Sequence, residues 1–225
     1  MSSRALMSHA VSAALVAAVF TSAVAHAAIV FDNISGATFA TGAYLVGEHA
    51  PLAGSEIPRD FRVSTRVTIA GDGEWRLTAL GFRVSRNPEL LGNASARVWL
   101  SEAVEGGGPS MTWELGSIST TSTTATTVVL DSLSAQHVSL LGGHSYWITL
   151  GALPDHPDAT RLLWHRSSLG TLGQTYADDL NTPDGFLLQE GRTPGIKIGA
   201  DAIPAPGALA LLGLCGCAPK ARRRR

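Results

Sequence analysis

Between its two ends, the 225-residue chain reads as all-β. Short apolar runs alternate with period two, which places every second side chain on one face of a strand. The 24 glycines and 11 prolines fall between many of these runs and mark turns. No interior segment sustains the 3.6-residue period of a helix. Many short strands separated by turns imply a sandwich or barrel, and about 175 residues suffice for one such core. A single jelly-roll-like β-sandwich over residues 28–202 is the preferred architecture.

The strands follow in order. A first one is expected at residues 29–33. The cleanest alternation runs from Phe61 to Ile69. Phe61, Val63, Val67 and Ile69 share one face, and Arg62, Ser64, Arg66 and Thr68 share the other. Asp72-Gly73 then supplies a turn signal. From Trp75 to Val84 the apolar phase changes. Trp75, Leu77 and Ala79 lie on one phase, and Leu80, Phe82 and Val84 on the next, so a bulge or burial on both faces is expected near Gly81. Further strands are expected at residues 96–101, 112–118, 126–130, 144–150, 161–165, 186–189 and 195–198. Residues 117–127 are almost entirely Ser and Thr, which suits an edge strand or its loop. Leu140-Leu141-Gly142-Gly143 reads as a turn into a strand. In that strand Tyr146, Ile148 and Leu150 point one way, and Trp147 and Thr149 the other.

The two ends have a different grammar. Residues 1–27 read as a secretory signal helix, with Arg4 as the positive start, an uncharged run over 10–24, and a small-x-small cleavage site at Ala25-His26-Ala27. Signal peptidase and the export machinery are the partners this implies, with Ala28 as the mature start. The apolar run of about 15 residues is short of the roughly 20 a spanning helix needs. At the other end, residues 203–225 run from Pro204 and Pro206 through a short apolar helix to Arg222, Arg223, Arg224 and Arg225. Twelve helical residues cover about 18 Å of a hydrocarbon core of ~30 Å, and extension over 203–221 nearly closes the gap. The terminal arginines would remain on the cytoplasmic side of the inner membrane.

This order of prolines, apolar stretch and basic cluster resembles the PEP-CTERM sorting domain. Pro204-Ala205-Pro206 stands where that family has Pro-Glu-Pro. The resemblance implies transient anchoring in the inner membrane and processing by an exosortase-type enzyme. It also implies a cell-surface or extracellular protein associated with exopolysaccharide. The leucine–glycine turn before Tyr146-Trp147, together with the strand from Trp75, is similar to the choice-of-anchor exported domains. That likeness implies a sandwich with no established activity.

Charge and chemistry narrow the middle further. The formal net charge is −1, but removing both ends leaves 11 basic against 18 acidic residues, a charge of −7. An acidic domain is not a general nucleic-acid binder. The only cysteines, Cys215 and Cys217, lie in the apolar tail, which excludes a disulfide scaffold and a cysteine nucleophile in the domain. Asp178, Asp179, Asn181 and Asp184 make the densest oxygen-ligand cluster and a weak calcium candidate. The spacing lacks an EF-hand's closing glutamate, and an ordinary turn is the favoured reading. Asp155-His156-Pro157-Asp158 reads as a loop, and the histidines show no zinc spacing. There is no Gly-x-Ser-x-Gly elbow and no phosphate loop. No enzyme, metal or cofactor is therefore expected. Trp75, Trp99, Trp113, Trp147 and Trp164 all fall in strand-like segments, where they fill a core or offer a face to a sugar ring. A secreted carbohydrate-binding module is thus the alternative function. A glycoside-active enzyme built on paired carboxylates ranks behind it. Asn33-Ile34-Ser35 and Asn93-Ala94-Ser95 match the glycosylation acceptor pattern.

Overall fold

The computed structural model describes residues 27–37, 39–49, 59–88, 92–152, 161–169, 172–179 and 186–204. These form thirteen strands: β1 (Ala28–Asp32), β2 (Phe39–His49), β3 (Arg59–Thr68), β4 (Glu74–Arg86), β5 (Ala94–Glu102), β6 (Trp113–Thr120), β7 (Thr126–Leu130), β8 (Ser139–Leu141), β9 (Ser145–Gly151), β10 (Leu162–Ser167), β11 (Leu172–Asp179), β12 (Phe186–Arg192) and β13 (Ile196–Ala202). The fold is all-β. Among the described residues the helical content is one 3₁₀ turn, Leu133–Gln136, flanked by Ser132 and His137 in left-handed conformations. No helix among them is long and apolar enough to cross a membrane. The expected signal helix and tail helix fall on residues 1–26 and 205–225, outside the described residues.

Every strand pairing is antiparallel, and the ladder runs β1-β13-β4-β10-β2-β3-β9-β5-β6. β2 divides it into two arms. Its residues from Phe39 to Val46 pair with β10, and Gly47 to His49 pair with β3. In the first arm β4 is the axis: β13 and then β10 follow one of its edges, while β8 and β7 follow the other. In the second arm β9 lies between β3 and β5, and β11-β12 extends from the other edge of β3.

The alternation in the sequence explains the burial. Val63 and Val67 are buried on one face of β3, with Ile69 just past its end, as are Ala94, Ala96, Val98 and Leu100 on β5. On β4 the expected change of phase is a bulge. Gly199 pairs with Ala79 but Ala200 with Leu77, so Thr78 is the extra residue. The bulge lets Leu77 and then Leu80, Phe82 and Val84 all reach the interior. One core joins both arms. Phe82, Trp164 and Ile198 come from the first, and Val67, Val98 and Ile148 from the second. Phe82 meets Trp164 edge to face at 5.7 Å, and the Trp164 indole donates to the Gly195 carbonyl at 3.0 Å. Each such large apolar side chain contributes about 1.5–3 kcal/mol by leaving water.

The turn at Asp72-Gly73 is present, with Gly71 and Gly73 at φ +78° and +97°. The strands it joins, β3 and β4, are not partners. It carries the chain from one arm to the other, and its contact is instead the glycine turn before β9. The Gly142 amide donates to the Gly73 carbonyl at 2.8 Å, and a Cβ on Gly142 would overlap the Gly71 carbonyl oxygen. The Tyr146 hydroxyl accepts from the Leu141 amide at 2.8 Å and pins the same turn. Burial pushes the Tyr146 phenol up, more than the Leu141 bond lowers it. The Ser/Thr-rich segment is the end of β6, a connection and the start of β7, and among the described strands β6 ends the ladder.

The ladder closes at Ala202. Beyond it the Ile203 amide donates to the Glu74 carbonyl at 2.9 Å, and Pro204 is exposed. Ala27 is likewise exposed, and Ala28 pairs with Ala200. Both ends of the domain therefore leave from neighbouring positions on one side of the molecule.

Candidate functional site

Of the residues singled out in the sequence, Ala27 and Pro204 lie exposed outside the strands. Ala25, Pro206, Arg222, Arg223, Arg224 and Arg225 lie outside the described residues, as do Asp184, Asn181 and residues 155–158. Asp178 and Asp179 are not turn residues. They end β11, in register with Arg62 and Phe61 of β3. The described residues bring together no group of three or more His, Cys, Asp or Glu side chains able to hold a metal.

The two acceptor-like asparagines differ. Asn93 is exposed. Asn33 is buried and committed: its Nδ2 donates to Thr193 Oγ1 at 3.1 Å and to the Pro194 carbonyl at 3.0 Å, and its Oδ1 accepts from the Ile196 amide at 2.6 Å. The Ser167 hydroxyl donates to the Asn33 carbonyl. This node ties the end of β1 to β10 and to the entry of β13. In the folded chain the Asn33 amide has no room for a sugar.

Among the described residues one Ser–His pair forms a hydrogen bond. Ser85 Oγ, buried on β4, lies 2.8 Å from His165 Nε2 on β10. Burial pushes the imidazole below its usual range, and the positive charge of Arg83 pushes the same way. A general base must become an imidazolium, and a triad supplies an anion to stabilise it. Here the charged neighbour is a cation, so the pair serves as a polar strut between strands rather than a nucleophile and its base.

The tryptophans separate into distinct environments. Trp164 belongs to the core and Trp75 packs against it. Trp113 opens β6 and is 38% exposed. Trp99 and Trp147 lie on the opposite face of the second arm from the core. Register builds that outward face row by row. Trp99 of β5 stands opposite Thr149 of β9, which stands opposite Ser64 of β3. Ser101 stands opposite Trp147, and Trp147 opposite Arg66. Arg97 stands opposite Gly151. Trp147 and Ser101 are fully buried, and the connection after β5 is tied down beside them, with the Ser110 amide donating to Ser101 Oγ at 3.2 Å. Ser64 and Thr149, also buried, bond each other at 2.8 Å.

Trp99 is half-buried. The far edge of its ring reaches the neighbouring strand: a Cβ on Gly151 would lie 3.0 Å from Cζ3 and 3.5 Å from Cη2 of Trp99, and 3.2 Å from Cγ of Arg62. On the other side, a register slip between Val98 and Trp99 brings Glu114 of β6 opposite the indole. Glu114 Oε2 pairs with Arg97 Nη1 at 3.2 Å. A flat aromatic surface thus lies beside an exposed cation–anion pair. Sequence reasoning named Trp99 only as one tryptophan of five. The signals it lacked were Gly151 and the slip that sets Glu114 in place, both of which depend on pairing with distant strands. The chain matches no family model and no curated protein.

Proposed function

We propose that the chain is an exported bacterial surface or extracellular-matrix protein with a structural or adhesive, non-enzymatic role. A signal peptide exports it. The tail over residues 203–225 holds it in the inner membrane until an exosortase-like enzyme processes it, and polysaccharide is its setting outside the cell. The supporting observation is the placement of the ladder. Among the described residues strand pairing runs from Ala28 to Ala202, the span that the targeting grammar of the two ends leaves for the domain. The domain itself we read as a jelly-roll-like sandwich, its two arms folded over the shared core and joined through β2.

Deleting residues 204–225 tests the assignment. The truncated chain is expected to move from the membrane fraction to the soluble exported fraction with an unchanged melting temperature, and mass spectrometry is expected to find Ala28 as the mature start. Membrane association that survives the deletion would overturn the sorting role.

A further inference from the structure

We propose that Trp99, Arg97 and Glu114 form a binding site for a hexose-based polysaccharide on the outward face of β5 and β6. The first argument is the posture of the ring. Trp99 is half-buried on β5, and the edge of its ring comes within 3.0 Å of the Cβ position of its diagonal neighbour Gly151 on β9. The indole therefore extends from β5 over β9 at Gly151 and keeps part of its surface in water.

Gly151 makes this posture possible. Its backbone does not take the positive φ that would itself require glycine. The missing side chain provides room, and any Cβ would press on both the Trp99 ring and the Arg62 stem. The core does not account for the arrangement, because Trp99 lies on the far side of β5 from Val98 and Leu100.

The neighbours fit a sugar. A hexose ring presents an apolar C–H face, which suits an aromatic surface, and a rim of hydroxyls that both donate and accept. Arg97 supplies donors only and a charged Glu114 acceptors only, so the pair meets both needs. Their side chains are 25% and 50% exposed. An ion pair so open to water contributes little to folding, which leaves both groups available to a ligand beside the ring. The other common ligand of an indole–arginine surface is nucleic acid, and an exported domain of charge −7 repels phosphate. The connection anchored at Ser101 bounds the site at one end.

Affinity electrophoresis of the full-length chain in mild detergent tests the proposal, with hydroxyethylcellulose, dextran or alginate cast in the gel. At least one polymer is expected to retard the protein. Trp99→Ala is expected to weaken that retardation at least about tenfold, the loss of roughly 1.4 kcal/mol of contact. Gly151→Ala, which displaces the ring without removing it, is expected to weaken it measurably. Arg97→Gln and Glu114→Gln alter only exposed groups and leave the fold intact, and each is expected to cost about threefold to tenfold. Trp113→Ala, which removes an exposed indole elsewhere, is expected to leave retardation unchanged. No retardation by any of the three polymers would overturn the site. So would equal retardation of wild type, Arg97→Gln and Glu114→Gln, or a loss in Trp113→Ala that matches Trp99→Ala. The readout is taken in solution, so failure of the sorting role would leave it intact.

Discussion

β4 and β9 hold corresponding places, each the axis of one arm, and each lines the common core with one face. Their arms differ on the outside. Around β4 the outward residues include no indole: Gly81 lies between Val129 of β7 and Lys197 of β13, and beyond it come Arg83, Ser85 and His165. A Cβ on Gly81 would already sit 3.4 Å from that of Lys197. On the face of β9 turned from the core stand two indoles, three arginines and paired hydroxyls; Trp147, Ser64 and Thr149 are themselves buried, and Trp99 and the arginines are partly open to water. Strand packing dictates which side chains turn inward, and both arms obey it equally. It dictates nothing about the outside, so chemistry in excess of what packing requires is where a binding role is to be sought.

The sharpest way to test that contrast is to remove an indole from each setting. Trp164→Ala, in the core, is expected to lose about 3–5 kcal/mol of stability in chemical denaturation. Trp99→Ala, on the outward face, is expected to lose only about 1 kcal/mol. Equal losses would mean that Trp99 is a packing residue and would erase the difference between the faces. Next in size is Asn33→Ala in the polar node of the first arm. It strands the Ile196 amide and the Thr193 hydroxyl in the interior, and is expected to lose about 2–3 kcal/mol by the same measurement. A loss no greater than that of a surface substitution would show the node to be dispensable. The smallest effect belongs to the Ser85–His165 strut. Its imidazole titrates lower in the folded chain than its ordinary value of 6.5, so the unfolded chain binds the proton more readily. The resulting stability is complete above about pH 6.5 and declines as pH falls toward the folded value. His165→Gln is expected to flatten this part of a plot of melting temperature against pH. An unchanged slope would place the titration elsewhere.

Much of this was readable in the residues, and the failures have physical causes. Alternation located β3 and β7, and the phase change in β4 foretold the Thr78 bulge. β2 escaped because Gly42 and Gly47, both with positive φ, break its pattern, the first at a register slip against β10 and the second where the strand exchanges partners. β11 escaped because Asp178 and Asp179 open a run of turn-forming residues, and composition outweighed the short apolar signal before them. β8, with three residues, is too short to show a period. The turn after β3 was visible, but its partner, the glycine pair at 142–143, lies some seventy residues away. For the same reason the outward face of β5 was hidden: the lone glycine ending β9 gains meaning only once register sets it beside Trp99.

The position of β13 carries a mechanical consequence. Any pull on a tether attached after Ala202 enters a strand clasped on both flanks, by β1 and by β4. Tension along that strand loads its cross-strand bonds together in shear, whereas a free edge would peel open one bond at a time. A domain anchored in this way would withstand flow and drag better than its melting temperature suggests, and force–extension measurements through the C-terminus would reveal the difference.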